Sequence, residues 1–267
     1  MTNSSELCIP TTDIKLEKCV DCGEEIYQII DGFKCPKPCS CRKKEYEQFE
    51  KQAELEKKRN RSERVQRLFE SANIGKRFMQ RTFKTFDASL EPLGYNACKK
   101  YAEGFDKHRD NGEGLILIGN YGAGKTHLAG AIAHYLIKEK LESVVFITLA
   151  GLLMQIKQCY ENKELNELEI MKALQSADLV IFDDVGKEKL TEWARERFFE
   201  IVNIRYEHMK PIIITTNYDL AVLKQHIGDA IFSRLAESNY AIKFKGKDYR
   251  IEKSMKEMLG KNKKPSD

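Results

Sequence analysis

The run Gly119-Asn120-Tyr121-Gly122-Ala123-Gly124-Lys125-Thr126 fits the pattern G-x-x-x-x-G-K-[ST] at every fixed position. Residues of these types at this spacing hold phosphate. Glycines let the backbone approach the phosphate oxygens, and the first turn of a following helix points N–H groups and partial positive charge at them. Lysine at the seventh position is expected to reach the β- and γ-phosphates of a nucleotide, and the Thr126 hydroxyl to sit on Mg²⁺. The flanks suit this reading. Gly114-Leu115-Ile116-Leu117-Ile118 is a short apolar run of the kind that makes a buried parallel strand. Leu128, Ala131, Ile132, Tyr135 and Leu136 then recur at helical spacing.

A second apolar run, Leu179-Val180-Ile181-Phe182, ends in Asp183-Asp184. A carboxylate at the tip of a buried strand beside a phosphate loop can hold Mg²⁺, directly or through its water. Asp183 is expected in that role. Asp184 stands where a base or water-positioning acid is needed for hydrolysis. A third run, Pro211-Ile212-Ile213-Ile214-Thr215-Thr216, ends in Asn217, whose amide is placed to orient an attacking water or sense a γ-phosphate. Further on, Ala230-Ile231-Phe232-Ser233-Arg234-Leu235 presents an arginine. It is either an ordinary surface residue or a finger that stabilises phosphoryl charge on a neighbouring subunit.

These side chains need a scaffold that brings strand tips together. From Phe83 onward, strand-like and helix-like stretches alternate, which predicts an α/β fold with a parallel sheet covered on both faces. Strands are expected at 114–118, 143–148, 178–183, 211–216 and 240–244. Helices are expected at about 94–110, 125–139, 149–159, 191–208 and 220–226. Upstream, Arg42 to Ala72 contains no proline or glycine and is densely charged, a helix signature. Its second half carries Val65, Leu68, Phe69 and Ala72 as an amphipathic stripe, so a linker helix docking at its C-terminal end is expected. Residues 1–18 read as a loosely held lead, and no internal repeat is visible.

The chain has 267 residues, 32% of them charged and 42% apolar. No apolar run approaches the roughly 20 residues needed to span a bilayer, and the N-terminus shows no apolar signal segment, so a cytoplasmic protein is expected. The net charge of +4 is unevenly spread. Residues 1–41 carry a net −3 and residues 42–84 a net +7, while the remainder cancels. That excess either attracts nucleic-acid phosphates or is simply a solvated helix face. No aromatic stacking platform is visible, which argues against a free-standing nucleic-acid-binding module. Eight cysteines in a reducing compartment point to metal ligands or free thiols rather than disulfides. Cys19-x2-Cys22 can give two thiolates to one Zn²⁺, and a second pair 13–19 residues later closes a tetrahedron. Cys35, Cys39 and Cys41 are three candidates for two places. No histidine lies in residues 19–41, so a structural site is expected, with metal supplying folding energy to a short polar segment. Cys8, Cys98 and Cys159 are isolated.

The order G-N-Y-G-A-G-K-T-H-L, L-V-I-F-D-D-V-G-K-E, N-I-R-Y-E…K-P-I-I-I-T-T-N-Y, F-S-R-L and G-K-D-Y-R resembles the AAA+ ATPases of the DnaC/DnaI helicase-loader and IstB family over about residues 70–252. The resemblance implies an AAA+ core at 73–252, preceded by a zinc-binding module at 1–41 and a linker helix at 42–72, with a basic tail at 253–267. It implies nucleotide contacts from Gly119 through His127, sensor 1 at Asn217, an arginine finger at Arg234 and a sensor 2-like arginine at Arg250. Asp184 stands where many AAA+ proteins have glutamate, which suits a slow, ATP-controlled switch. Zinc-bearing loaders have a similar cysteine-rich module often ending in Cys-x-Cys, which favours Cys19, Cys22, Cys39 and Cys41, with Cys35 as the alternative. The implied function is loading of a DnaB-type replicative helicase onto single-stranded DNA, with self-assembly through Arg234 and with ATP, Mg²⁺ and Zn²⁺ as cofactors. Two further readings stay open: an IstB-like transposition helper that grips duplex DNA, and a non-hydrolysing adaptor switched by ATP. The cysteine module argues against the first of these.

Overall fold

A computed structural model describes residues 9–10, 18–30, 33–37, 39–69, 80–161, 166–187, 190–246 and 248–249. The chain divides into two compact units, Met1–Lys57 and Lys58–Asp267.

In the first unit, β1 (Ile9–Pro10), β2 (Tyr27–Ile30) and β3 (Phe33–Pro36) form an antiparallel sheet in the order β1-β3-β2. Ile9 pairs with Lys34, so the lead segment contributes a short strand that its polar composition did not announce. Helix α1 (Lys43–Phe69) begins two residues after Cys41. Ala72 of the expected stripe lies outside the described residues.

The second unit is built on a five-stranded parallel sheet of order β5-β6-β7-β4-β8. Its strands are β4 (Gly114–Ile118), β5 (Val144–Thr148), β6 (Leu179–Asp183), β7 (Ile212–Thr216) and β8 (Asn239–Lys243). β4 to β7 are apolar along most of their length because both faces are covered, with polar residues confined to the C-terminal ends of β5, β6 and β7, and successive side chains go to opposite faces. Ile116, Val180, Phe182 and Ile214 join one core with Leu152, Phe198, Leu223 and Ile231. Leu115, Leu117, Ile181 and Ile213 join the other with Tyr101, Phe105, Leu128 and Leu136. Each large side chain so buried contributes about 1.5–3 kcal/mol.

The first core is covered by α5 (Leu149–Glu161), α6 (Glu167–Ser176), α7 (Glu192–Glu207), α8 (Leu220–Ile227) and α9 (Asp229–Ser238). The second is covered by α2 (Pro92–Glu103), α3 (Phe105–Asp110) and α4 (Lys125–Glu139). The single helix expected at 94–110 is broken at Gly104, whose backbone leaves the helical region. Helices α6 and α9 were absent from the expected set. α6 is announced only by the Asn166 cap, whose side chain accepts from the Leu168 N–H.

The end of α1 packs on the first core through Val65, Leu68 and Phe69. It is also held by polar contacts. Arg61 donates to the Ser176 carbonyl and to Asp178, and the Ser62 hydroxyl donates to the Glu142 carbonyl.

Candidate nucleotide site and metal centre

The glycine loop leaves the tip of β4 and enters α4. Gly124 caps that helix at φ +95°, a left-handed conformation that glycine adopts without penalty. A Cβ there would also lie 2.6 Å from the Phe86 ring. Gly122 has φ +73°, and a Cβ there would strike the Asp248 carboxylate. The loop is therefore closely covered by residues 86 and 248. Glu91 anchors that cover, accepting hydrogen bonds from the backbone N–H groups of Lys245 (2.7 Å) and Gly246 (2.9 Å). Lys125 is buried. Its ammonium donates to the carbonyls of Gly119 (2.7 Å) and Asn120 (2.8 Å) and to Asn217 Oδ1 (2.7 Å).

Strand order explains the meeting of Lys125 and Asn217. β7 lies between β4 and β6, with Ile118 paired to Thr216 and Phe182 paired to Ile214. Asn217, one residue beyond β7, therefore emerges between the phosphate loop and the acidic strand tip. On its other side, the Thr215 hydroxyl donates to Asp183 Oδ1 (2.6 Å) and accepts from the Asp184 N–H (2.9 Å). Burial raises the Asp183 carboxyl above the ordinary aspartate value, and the Thr215 and Thr126 hydroxyls oppose that rise. Asp184 adopts φ +57°, and its neighbour Val185 donates back to the Thr215 carbonyl. Thr126 and Asp183, with the charge of Asp184 close enough to act on Asp183, offer the oxygen donors that a hard cation such as Mg²⁺ takes.

Other candidate residues fall elsewhere. His127 Nε2 lies 3.1 Å from the Thr82 carbonyl oxygen, and its ring packs edge-on against Phe86. Its role here is to pin the 82–86 turn to α4, and burial lowers its pKa. Tyr121 is exposed. Arg234 makes its contacts with α7 and α9 and is not joined to the Lys125–Asp183 cluster: Nε donates to Asn203 Oδ1 (2.7 Å) and Nη1 to the Ala230 carbonyl (3.1 Å). Arg250 lies outside the described residues.

In the first unit, the sulfur atoms of Cys19, Cys22, Cys39 and Cys41 all lie within 4.8 Å of one another. A tetrahedral zinc with Zn–S bonds of about 2.3 Å separates its sulfurs by about 3.8 Å, so the four thiols fit that ion. The Cys22 and Asp21 N–H groups lower the Cys19 thiol's pKa to about 6, whereas the Cys41 thiol is pushed up by its neighbouring thiols, Cys39 first among them. Glu24 ties the two cysteine pairs together, accepting from the Ser40 N–H (2.7 Å) and hydroxyl (2.8 Å). Cys35 is on β3, opposite Gln28.

Two features were missed from sequence. Thr215 is one; the signal was a hydroxyl pair closing an otherwise aliphatic strand. The other is a groove running from Asp184 past Leu190 to Trp193, formed by adjoining cavities of about 190 and 270 Å³ that share Ala150 and Leu190. Lys157 sits 5.1 Å above the Trp193 ring, a cation–π contact in this groove.

Comparison with known proteins agrees with this geometry. The fold and site define a P-loop ATP-binding protein of the AAA+ type. The chain belongs to the IstB-like ATP binding protein family, whose model matches residues 41–257. It is similar to the replicative helicase loader DnaC of Buchnera aphidicola subsp. Baizongia pistaciae, with 28% identity over 187 residues, covering 68% of this chain and 74% of that protein. It is also similar to the phage-like element PBSX protein XkdC of Bacillus subtilis, with 26% identity covering 70% and 73%. Among solved structures, a DnaC helicase loader superposes with a TM-score of 0.57 at 27% identity, covering 64% of this chain and all of that one.

Proposed function

We propose that this chain is an ATP-hydrolysing loader that places a hexameric DnaB-type replicative helicase on single-stranded DNA. The observation carrying this reading is the convergence of Lys125, Asn217, Thr126, Asp183 and Asp184 on one sheet edge, in a chain whose relatives bear the loader name. In that role, Lys125 binds the β- and γ-phosphates, Thr126 and Asp183 hold Mg²⁺, and Asp184 with Asn217 orients the attacking water. Arg234 reaches the nucleotide of the next subunit. Zn²⁺ on Cys19, Cys22, Cys39 and Cys41 stiffens the N-terminal module, which docks on the helicase. Trp193 and Lys157 supply a stacking face and a charge for single-stranded DNA.

The test is sizing of the full chain with a replicative helicase, with and without ATP. An ATP-dependent complex lost in Cys19→Ser and Cys22→Ser variants supports the reading. Absence of a complex, together with ATP-dependent assembly on duplex DNA, replaces it with the transposition-helper reading. ATP-dependent binding without hydrolysis, unchanged by single-stranded DNA, replaces it with the adaptor reading.

A further inference from the structure

Arginine carries about 2 kcal/mol of rotamer entropy, so a finger that meets a nucleotide only on assembly gains from being held in place beforehand. Arg234 is held in this way. Its guanidinium carbon lies 4.7 Å from the centre of the Phe199 ring and 5.9 Å from that of Tyr206. Asn203 Oδ1 takes the Nε hydrogen, and Asn203 Nδ2 donates to Glu207 Oε1 (2.9 Å). Phe199, Asn203, Tyr206 and Glu207 are spaced i, i+4, i+7 and i+8 along α7 and share one face. The Asn203 amide is therefore polarised: its amino group is committed to a carboxylate and its carbonyl to the arginine. Fixing Nε and Nη1 sets the plane of the guanidinium, and Nη2 makes no hydrogen bond among the described residues.

We infer that Asn203, oriented by Glu207, is a positioning residue that presents Arg234 Nη2 to the nucleotide phosphates of a second copy of this chain. The inference rests on the trans role proposed above for Arg234. Asparagine suits the position because its two ends differ. An aspartate would repel Glu207 and pair with the guanidinium, drawing it back from the neighbouring subunit.

A double-mutant cycle on the full chain tests this, reading kcat and KM for ATP hydrolysis with single-stranded DNA, and ATP-induced self-association by sedimentation. Arg234→Ala is expected to lower kcat by about 10³-fold. Asn203→Ala and Asn203→Asp should each lower kcat by about tenfold with KM within about twofold, because a misplaced group loses transition-state contact rather than substrate binding. In the Arg234→Ala background, Asn203→Ala should change kcat by less than about twofold. Self-association should weaken in the same order. Unchanged kcat in both Asn203 variants while Arg234→Ala fails overturns the positioning role. So does an equal loss in the Arg234→Ala background, which marks Asn203 as merely structural. An Arg234→Ala variant with wild-type kcat removes the trans reading itself, and the inference with it. Should Asn203→Ala melt at a lower temperature, the isosteric Asn203→Asp carries the comparison.

Discussion

Thr215→Val removes one hydroxyl and almost no volume, and it should be costly out of proportion to that change. Thr215 is fully buried, and Asp183 is 6% exposed. The hydroxyl makes two bonds, a donation to the Asp183 carboxylate and an acceptance from the Asp184 N–H. Loss of a hydrogen bond to a charged group costs about 1.5–3 kcal/mol, and a partly buried N–H left without a partner about 1–3 kcal/mol. The two losses share one site and are not fully additive, so the total should be about 2–4 kcal/mol. For a unit of this size, that is a fall in Tm of about 5–15 °C. Urea unfolding followed by circular dichroism, with wild type, Thr215→Val and Thr215→Ser compared at equal m-value, measures it. Serine keeps the hydroxyl and should stay within about 1.5 kcal/mol of wild type. A valine variant within about 1 kcal/mol of wild type, or a serine variant as unstable as valine, would refute the reasoning.

Three other outcomes are expected. Burial and the adjacent Asp178 raise the Glu142 pKa to about 7 from an ordinary 4.5. A carboxyl raised on folding favours the folded state when protonated, so its contribution is full below about pH 4.5 and is lost as pH rises through about 7. Glu142→Gln should flatten the loss of stability between about pH 4.5 and 7 while giving up the charge on the 2.8 Å contact with Arg109, as urea midpoints between pH 5 and 8 would reveal. Cys39→Ser should lower bound zinc from one ion per chain to none at micromolar free metal, measured by elemental analysis, and should leave the melting of the larger unit unmoved. Trp193 is the chain's single tryptophan, so its fluorescence reports on the groove directly. Single-stranded DNA should quench it, Lys157→Ala should weaken binding at least threefold, and binding without quenching would place the DNA elsewhere.

The parts of this protein whose chemistry is local can be read from its residues alone. A phosphate loop is legible because Gly122 and Gly124 need backbone conformations that other residues resist, and because lysine and threonine must follow at set positions. The buried strands are legible because a sheet covered on both faces demands unbroken apolar runs. The cysteine pairs are legible because a metal knuckle is itself a short-range object. Tertiary structure alone decided the rest. Lys125 meets Asn217 across 92 residues because β7 lies between β4 and β6, an order that parallel strands of similar composition do not encode. Thr215 joins Asp183 and Asp184 only through that neighbourhood. Trp193 and Lys157, on different helices, face one groove, and Arg234 is held by residues of α7 read beforehand only as a helix. Periodicity tells which side of an element is buried, but not which element lies against it, and each of these contacts depends on the second.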